Sequence, residues 1–204
     1  VFLNEERGMK LLICSFDYTG KNVKKLAEEI GTWESVELIS CENPSNLQLN
    51  YSSGIEYIIA SDCPDTREKA FQCLKEKKLQ IATLIHPENY ISEDTKIGMG
   101  CILHRGVIVY YDSSIGENTV MKEYTSFSHD SEIGNHCVLM EKCTTGGYSH
   151  FGNKVCFYPG VVAKDELTIG DGVCAHSAAV IMKDVESNQI VMGNPARIIK
   201  NRER

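Results

Sequence analysis

The sequence predicts two parts: a small α/β domain over residues 1–84 and an all-β parallel solenoid with its tail over residues 85–204. Three observations carry that division. Strand-like and helix-like segments alternate up to Ile85, apolar residues recur at every sixth position from Ile85 to Ile181, and five glycines follow one another at intervals of eighteen. Alternating strands and helices point to a parallel sheet with helical crossovers. A fixed short period points to stacked repeats that bury their apolar faces against one another.

Residues Val1 to Gly8 precede Met9 and read as an added or processed extension. Lys10 to Ser15 is a short apolar strand, and Lys21 to Ile30 has the apolar spacing of a helix. Val36 to Ser40 and Ile55 to Ala60 read as further strands. Asp65 to Lys78 reads as a second helix capped by Asp62 or Asp65, and Gln80 to Ile85 as a last strand. The domain boundary falls near Leu84 to Pro87. This half resembles a reduced Rossmann-like domain. Its first strand–helix turn, Cys14-Ser15-Phe16-Asp17-Tyr18-Thr19-Gly20-Lys21, carries one glycine and no G-x-G-x-x-G, so dinucleotide binding is not expected.

From Ile85 the six-residue lattice runs through Ile91, Ile97, Leu103, Val109, Ile115, Met121, Phe127, Ile133 and Leu139. It continues through Thr145, Phe151, Phe157, Ala163, Ile169, Ala175 and Ile181, and only Thr145 is not apolar. Two residues earlier in each hexad stands a small or β-branched residue, among them Cys101, Thr119, Ser131 and Val155, with Leu167 the exception. Two inward positions separated by an outward one fit a short strand. Gly98, Gly116, Gly134, Gly152 and Gly170 recur every eighteen residues, so three hexads make one turn of a triangular coil. Glycine there serves either a strained backbone or a close approach at a corner. The spacing leaves the hand of the coil open.

The net charge of −7 disfavours nucleic acid and anionic membranes as partners, since both need a basic surface. No run of eighteen apolar residues exists, so no membrane insertion is expected. The nine cysteines form no C-x-x-C pair and read as reduced, buried fillers in a cytoplasmic protein.

The histidines are the residues suited to chemistry near neutral pH. His86, His104 and His176 each follow an inward residue and should face out as solvated or subunit-packing side chains; His136 and His150 lie near corners and read as solvated. His129 differs because Asp130 follows it at a corner, where consecutive side chains can both project outward. A carboxylate beside an imidazole fixes its tautomer and stabilises the imidazolium, which suits a general base. A His-Asp dipeptide alone does not name a reaction.

Two further stretches do carry a resemblance. Thr125-Ser-Phe-Ser-His-Asp-Ser-Glu-Ile-Gly134 and Val191-Met-Gly-Asn-Pro-Ala-Arg197 resemble segments of sugar acetyltransferases built from a Rossmann-like front domain and a left-handed β-helix. That family includes amino-sugar N-acetyltransferases of the bacillosamine pathway and sialic acid O-acetyltransferase relatives, and the similarity covers nearly the whole chain in order. The resemblance implies a left-handed parallel β-helix. It implies His129 as base, Asp130 as its support and the Gly147 N–H as donor to the thioester oxygen. It also implies acetyl-CoA as co-substrate, lying in a groove between copies of a homotrimer. Pro159, Gly160, Ser177 and Ala178 would line that groove, and Arg197 and Lys200 would neutralise its phosphates within a basic tail that includes Arg202 and Arg204. Two departures stand out. Phe16-Asp17-Tyr18 replaces a glycine-rich turn that holds the nucleotide-linked sugar, leaving Tyr18 to stack on base or sugar. Val138 replaces a second histidine.

The expected activity is direct transfer of an acetyl group to the amine of a nucleotide-linked sugar in surface glycan synthesis, with no metal. Cys143, a conceivable nucleophile, is set inward by its lattice position. A sugar hydroxyl is the alternative acceptor. Readings of another class are a γ-carbonic-anhydrase-like metalloenzyme, which needs convergent histidines, and a non-catalytic trimeric scaffold.

Overall fold

The computed structural model describes residues 8–202, so the extension up to residue 7 and the tail residue Arg204 lie outside the described residues. The first part is a parallel sheet of four strands, β1 (Lys10–Ser15), β2 (Ser35–Ser40), β3 (Ile55–Ala60) and β4 (Gln80–Ile81), in the order β2-β1-β3-β4. Helix α1 (Gly20–Ile30) joins β1 to β2, and α2 (Pro64–Glu76) joins β3 to β4. Alternate residues of β1 serve opposite faces. Leu11 and Ile13 pack with Val23, Leu26 and Ala27 of α1, whereas Leu12 and Cys14 pack with Ala70, Phe71 and Leu74 of α2. The expected cap of α2 is absent: Cys63 occupies that position and makes no side-chain cap bond. The expected strand Gln80–Ile85 is two strands. Gln80–Ile81 completes the front sheet, and Leu84–Ile85 opens the first coil of the solenoid.

The second part is a triangular prism whose three faces are sheets of parallel strands, entered in a fixed cycle. The docking face carries strands Leu84–Ile85, Ile102–Leu103, Val120–Met121, Val138–Leu139, Cys156–Phe157 and Cys174–Ala175. It then takes Gln189–Met192 and the antiparallel Arg197–Asn201. The second face runs from Tyr90–Ile91 to Val180–Ile181, and the third from Lys96–Ile97 to Thr168–Ile169. The lattice residues fill the interior as one core from Leu103 to Val191. The six-residue phase ends after Ile181, because the last coil is shorter: Ile169 bridges Val185 and Ala175 pairs with Val191.

Backbone geometry settles what the repeated glycines do. A Cβ on Gly98 would lie 2.6 Å from the Glu117 nitrogen, and one on Gly134 would lie 2.7 Å from the Gly152 carbonyl carbon. They serve close approach of successive coils. The left-handed backbone falls elsewhere, at Gly100, Gly106, Asp112, Asn118, Tyr124, Asp130 and their successors, one per corner. For residues other than glycine this costs roughly 1–2 kcal/mol each, offset by the coil-to-coil hydrogen bonds that the corners complete. The small inward residues bond across coils as well: Ser113, Thr119 and Thr125 donate their hydroxyls to the carbonyls of Ser128, Gly134 and Met140, and the thiols of Cys137 and Cys143 approach those of Gly152 and Tyr158.

The front domain lies along the docking face. The outward residues there, Leu84, Ile102, Val120, Val138 and Cys156, recur every eighteen residues and join the core of β1, β3 and α1. Val138 is therefore an interface residue of this face. His86 and His104, expected at the surface, do face outward, but the front domain covers them and they are 2% and 5% exposed. His86 meets Glu29 of α1, and His104 pairs with Glu123. His136, expected to be solvated, is half-buried against Phe71 and Asn118.

Helix α2 is fastened to the corner between third and docking faces by Arg67, whose side chain is fully buried. Its guanidinium donates to the carbonyls of Asn118, Ile59, Ser61 and Gly100 and to the Asn118 side chain; Asn118 returns a bond to the Arg67 carbonyl. Burial pushes its pKa down to about 10, which leaves it charged at neutral pH. Around it, Lys154 reaches Glu68, Arg202 reaches Asp65 and Lys75 reaches Glu117. Replacing Arg67 with leucine leaves these carbonyls without a donor. Urea denaturation of Arg67→Leu should show a loss of about 3 kcal/mol, since each buried unsatisfied group costs 1–3 kcal/mol; an unchanged midpoint would remove Arg67 as the fastening.

Candidate active site

His129 and Asp130 lie at a corner between the second and third faces, just after strand Ser126–Phe127. Phe127 points inward and is fully buried. Asp130 takes the left-handed backbone at φ 51°, which turns the chain and lets both side chains project outward. The corner is tied to its neighbours: the Asp130 N–H donates to the Tyr111 carbonyl and the Tyr148 N–H donates to the His129 carbonyl.

His129 Nδ1 is 2.8 Å from Asp130 Oδ2. An ionised carboxylate can only accept, so Nδ1 carries the hydrogen and Nε2 presents a lone pair. Nε2 has no hydrogen-bond partner among the described residues. The imidazole stacks on Tyr111 at 5.1 Å with an interplanar angle of 13°, and meets Tyr148 edge-on at 5.2 Å. Gly147 stands one coil further on. A Cβ there would lie 2.7 Å from Cε1 and 2.9 Å from Nε2 of His129, so only glycine leaves room for the ring. The Gly147 N–H makes no hydrogen bond among the described residues, whereas the N–H groups on either side donate to Ala163 and His129. A lone pair able to take a proton and an uncommitted backbone donor thus lie side by side.

The remaining expected residues occupy other places. Pro159, Gly160, Ser177 and Ala178 sit together on the corner between docking and second faces, where the Ala178 N–H donates to the Pro159 carbonyl. They do not join His129 and Gly147 within one chain. Arg197 lines a groove with Met182, Lys183 and Pro195, on the same edge as His129 but three coils further along. At one strand spacing per coil this is roughly 14 Å. Lys200 is exposed on the terminal antiparallel strand. Arg202 is held by Asp65 of α2, so the basic tail is divided between two jobs. Cys143 is buried, and burial pushes its thiol up to about 11, which fits its inward placement.

Tyr18 is exposed and donates to Asp62 at 3.3 Å. Asp62 also pairs with Lys122, and the two line a crevice between α1, the end of β3 and the docking face that Tyr18 itself does not line. Asp17 fills the β1–α1 turn. Its carboxylate accepts from the Thr19 N–H and hydroxyl, the Ser61 hydroxyl and the Asp62 N–H. Burial alone would raise this carboxyl; the four hydrogen bonds outweigh it and hold the pKa below the usual value. The side chain therefore takes the place at the carboxyl ends of the central strands where a bound anion commonly sits in such sheets. Tyr111 and Tyr148 did not emerge from the sequence as site residues, although Tyr111 stands one coil before His129 and Tyr148 follows Gly147.

No protein-family model and no curated protein matches the chain. Solved structures do, and they define its class: an α/β domain on a left-handed β-helix, a fold found among acetyltransferases. The acetyltransferase domain of PglB from Neisseria gonorrhoeae FA1090 matches with a TM-score of 0.87 at 20% identity, over 93% of this chain and 99% of that one. PerB from Caulobacter crescentus, in complex with CoA and GDP-perosamine, matches with a TM-score of 0.84 at 19% identity, over 94% and 97%. WeeI from Acinetobacter baumannii AYE matches with a TM-score of 0.67 at 21% identity, over 93% and 100%. At these identities the likeness shows the fold.

Gly147→Ala tests the packing of the site directly. The new methyl group should expel the imidazole from its slot, breaking the contact with Asp130 while the distant coils stay folded. The check is the His129 ring resonances by NMR alongside circular dichroism; an unmoved ring would mean that Gly147 is not what makes room for it.

Proposed function

We propose that the chain is an acetyl-CoA-dependent acetyltransferase that acts on the amine of a nucleotide-linked sugar by direct transfer. The observation that carries this reading is the His129–Asp130 pair with its free Nε2 beside the uncommitted Gly147 N–H. The fold supports it, since matched structures include the PglB acetyltransferase domain with acetyl coenzyme A and a GDP-perosamine N-acetyltransferase with CoA and GDP-perosamine. In this reading residues 1–84 serve the acceptor and residues 85–204 the transfer.

The geometry supports the following roles. The acceptor nitrogen bonds to the acyl carbon, and His129 Nε2 takes the proton that the nitrogen must lose. Asp130 holds the ring and stabilises the imidazolium. The Gly147 N–H donates to the thioester oxygen as negative charge gathers there. The C–S bond breaks, and the thiol leaves with the proton that His129 returns. No acyl-enzyme forms, in line with the absence of an accessible thiol at this corner. The metal-hydratase alternative loses its nearest histidine pair, because His129 and His136 stand at different corners of the prism.

The site is completed in a homotrimer. Its two halves lie on different edges of one chain, so an edge bearing Pro159, Gly160, Ser177 and Ala178 must meet the His129 edge of another copy. Exposed tyrosines at both edges of the second face, Tyr110, Tyr111 and Tyr148 on one side and Tyr124 and Tyr158 on the other, suit a subunit contact. In this reading Arg197 meets a CoA phosphate, with Lys200 as a second cation on the tail and Tyr18 at the acceptor's end of the site. Among the described residues no helix is long and apolar enough to cross a membrane, and a cytoplasmic location fits a reaction on nucleotide-linked substrates.

Thiol release from acetyl-CoA, measured against matched nucleotide-linked amino and hydroxy sugars, tests the activity. His129→Ala should reduce turnover by about 10²–10⁴-fold, the usual worth of a general base, and Asp130→Asn should cost less. Near-normal turnover in His129→Ala would refute the base assignment, and preference for the hydroxy compounds would refute the amine. Light scattering at micromolar concentration should return a mass of three chains; a monomeric mass would dismiss the shared site.

A further inference from the structure

The imidazole of His129 is enclosed by successive coils of the solenoid. Tyr111, His129 and Gly147 are spaced by eighteen residues, so they occupy one corner in three consecutive coils. The Tyr111 ring is near-parallel to the imidazole in an offset stack, with centroids 5.1 Å apart and planes at 13°. Gly147 closes the approach from the following coil, and Asp130 binds Nδ1. Tyr111 is half exposed, at 49%, and its phenol oxygen makes no hydrogen bond among the described residues. The ring's specific contact is therefore the imidazole.

We propose that Tyr111 is a positioning residue for His129. Its ring fixes the plane of the imidazole and presents an aromatic face to the positive charge that the imidazole acquires during transfer. Two physical effects support this. A base displaced by a fraction of an ångström loses much of its worth, because the reacting atoms must be held in line. A cation over an aromatic face is attracted by the ring quadrupole, so a flat stack favours the imidazolium formed in the transition state over the neutral ring. Asp130 holds the Nδ1 edge of the ring, and Tyr111 adds a contact along its face. The face of the ring does both jobs, so the phenol hydroxyl is dispensable.

This inference rests on the proposed acetyl transfer, and the test separates the two. Tyr111→Leu keeps apolar bulk without a π face, and Tyr111→Phe keeps the face without the hydroxyl. In steady-state acetyl transfer, Tyr111→Leu should lower kcat about two- to fivefold, the kinetic equivalent of one cationic contact at a half-exposed ring. The KM for acetyl-CoA should stay unchanged, and Tyr111→Phe should retain wild-type kcat. A Leu variant with wild-type kcat, a Phe variant as slow as Leu, or a loss confined to KM would each overturn the assignment. NMR supplies an arm that needs no substrate. The His129 Hε1 resonance should carry an aromatic ring-current shift in wild type and Tyr111→Phe that disappears in Tyr111→Leu; equal shifts in all three would overturn the stack. If the wild-type protein transfers no acetyl group while the ring-current pattern holds, the acetyltransferase reading falls and the stacked pair stands.

Discussion

Each coil of the solenoid must return to its starting corner after eighteen residues, and the rest of the structure depends on that closure. Closure puts equivalent residues directly above one another, so every choice at one corner is repeated or answered one coil on. Where the coils approach closest, only glycine fits, as at Gly98, Gly116 and Gly134. Where the corner turns, one residue takes a left-handed backbone. The interior accepts one large and one small residue per hexad, and the small ones tie the coils through hydroxyl and thiol contacts to carbonyls. The candidate site is a product of the same rule: an aromatic ring, an imidazole and a glycine meet because they share one corner in consecutive coils.

The front domain reads the solenoid through one face. Its apolar stripe, from Leu84 to Cys156, receives β1, β3 and α1, while α2 follows the adjoining corner through Arg67, Glu68 and Asp65. The apolar contact supplies most of the stabilisation, at about 1.5–3 kcal/mol for each large side chain fully buried. Arg67 contributes specificity: its donors are directed at fixed carbonyls, so α2 has one seat along the corner. The crevice holding Asp62 and Lys122 is defined by this seating, because its walls come from both parts.

The solenoid is legible in the sequence because its period is short and uninterrupted, and the five glycines disclose three hexads to a coil. The same period misleads where residues are counted by six alone. Counting by eighteen separates the faces: Leu84, Ile102, Val120, Val138 and Cys156 form an outward apolar column that the polar columns of the third face lack, and it marks where another domain must lie. His86 and His104 belong to that covered face, which is why they are buried rather than solvated. His129 and Asp130 stand out as neighbours in sequence, and Tyr111 becomes visible only one coil away. Pro159 and Ser177 share a corner with each other, yet stand two hexads from the corner of Gly147. Sequence order places them near in the chain, while the prism sends them to another edge. The capping of α2 was illegible for a different reason: Asp62 is engaged by Tyr18 and Lys122 and is not available to the helix.

A stack of identical rungs also acts as a ruler. His129 and Lys183, beside which Arg197 lies, are separated by three rungs on one edge, and each rung is about 4.8 Å, the spacing of neighbouring strands. That length cannot be tuned continuously by small shifts of the chain. It can change only by whole rungs, since losing fewer than eighteen residues would rotate every later side chain onto a different edge. The shortened last coil breaks the graduation in the corner of Lys183 itself, between Ile181, still eighteen residues from Ala163, and Val185, sixteen from Ile169. The ruler therefore reads true up to Ile181, and its last mark is the one position the chain has adjusted.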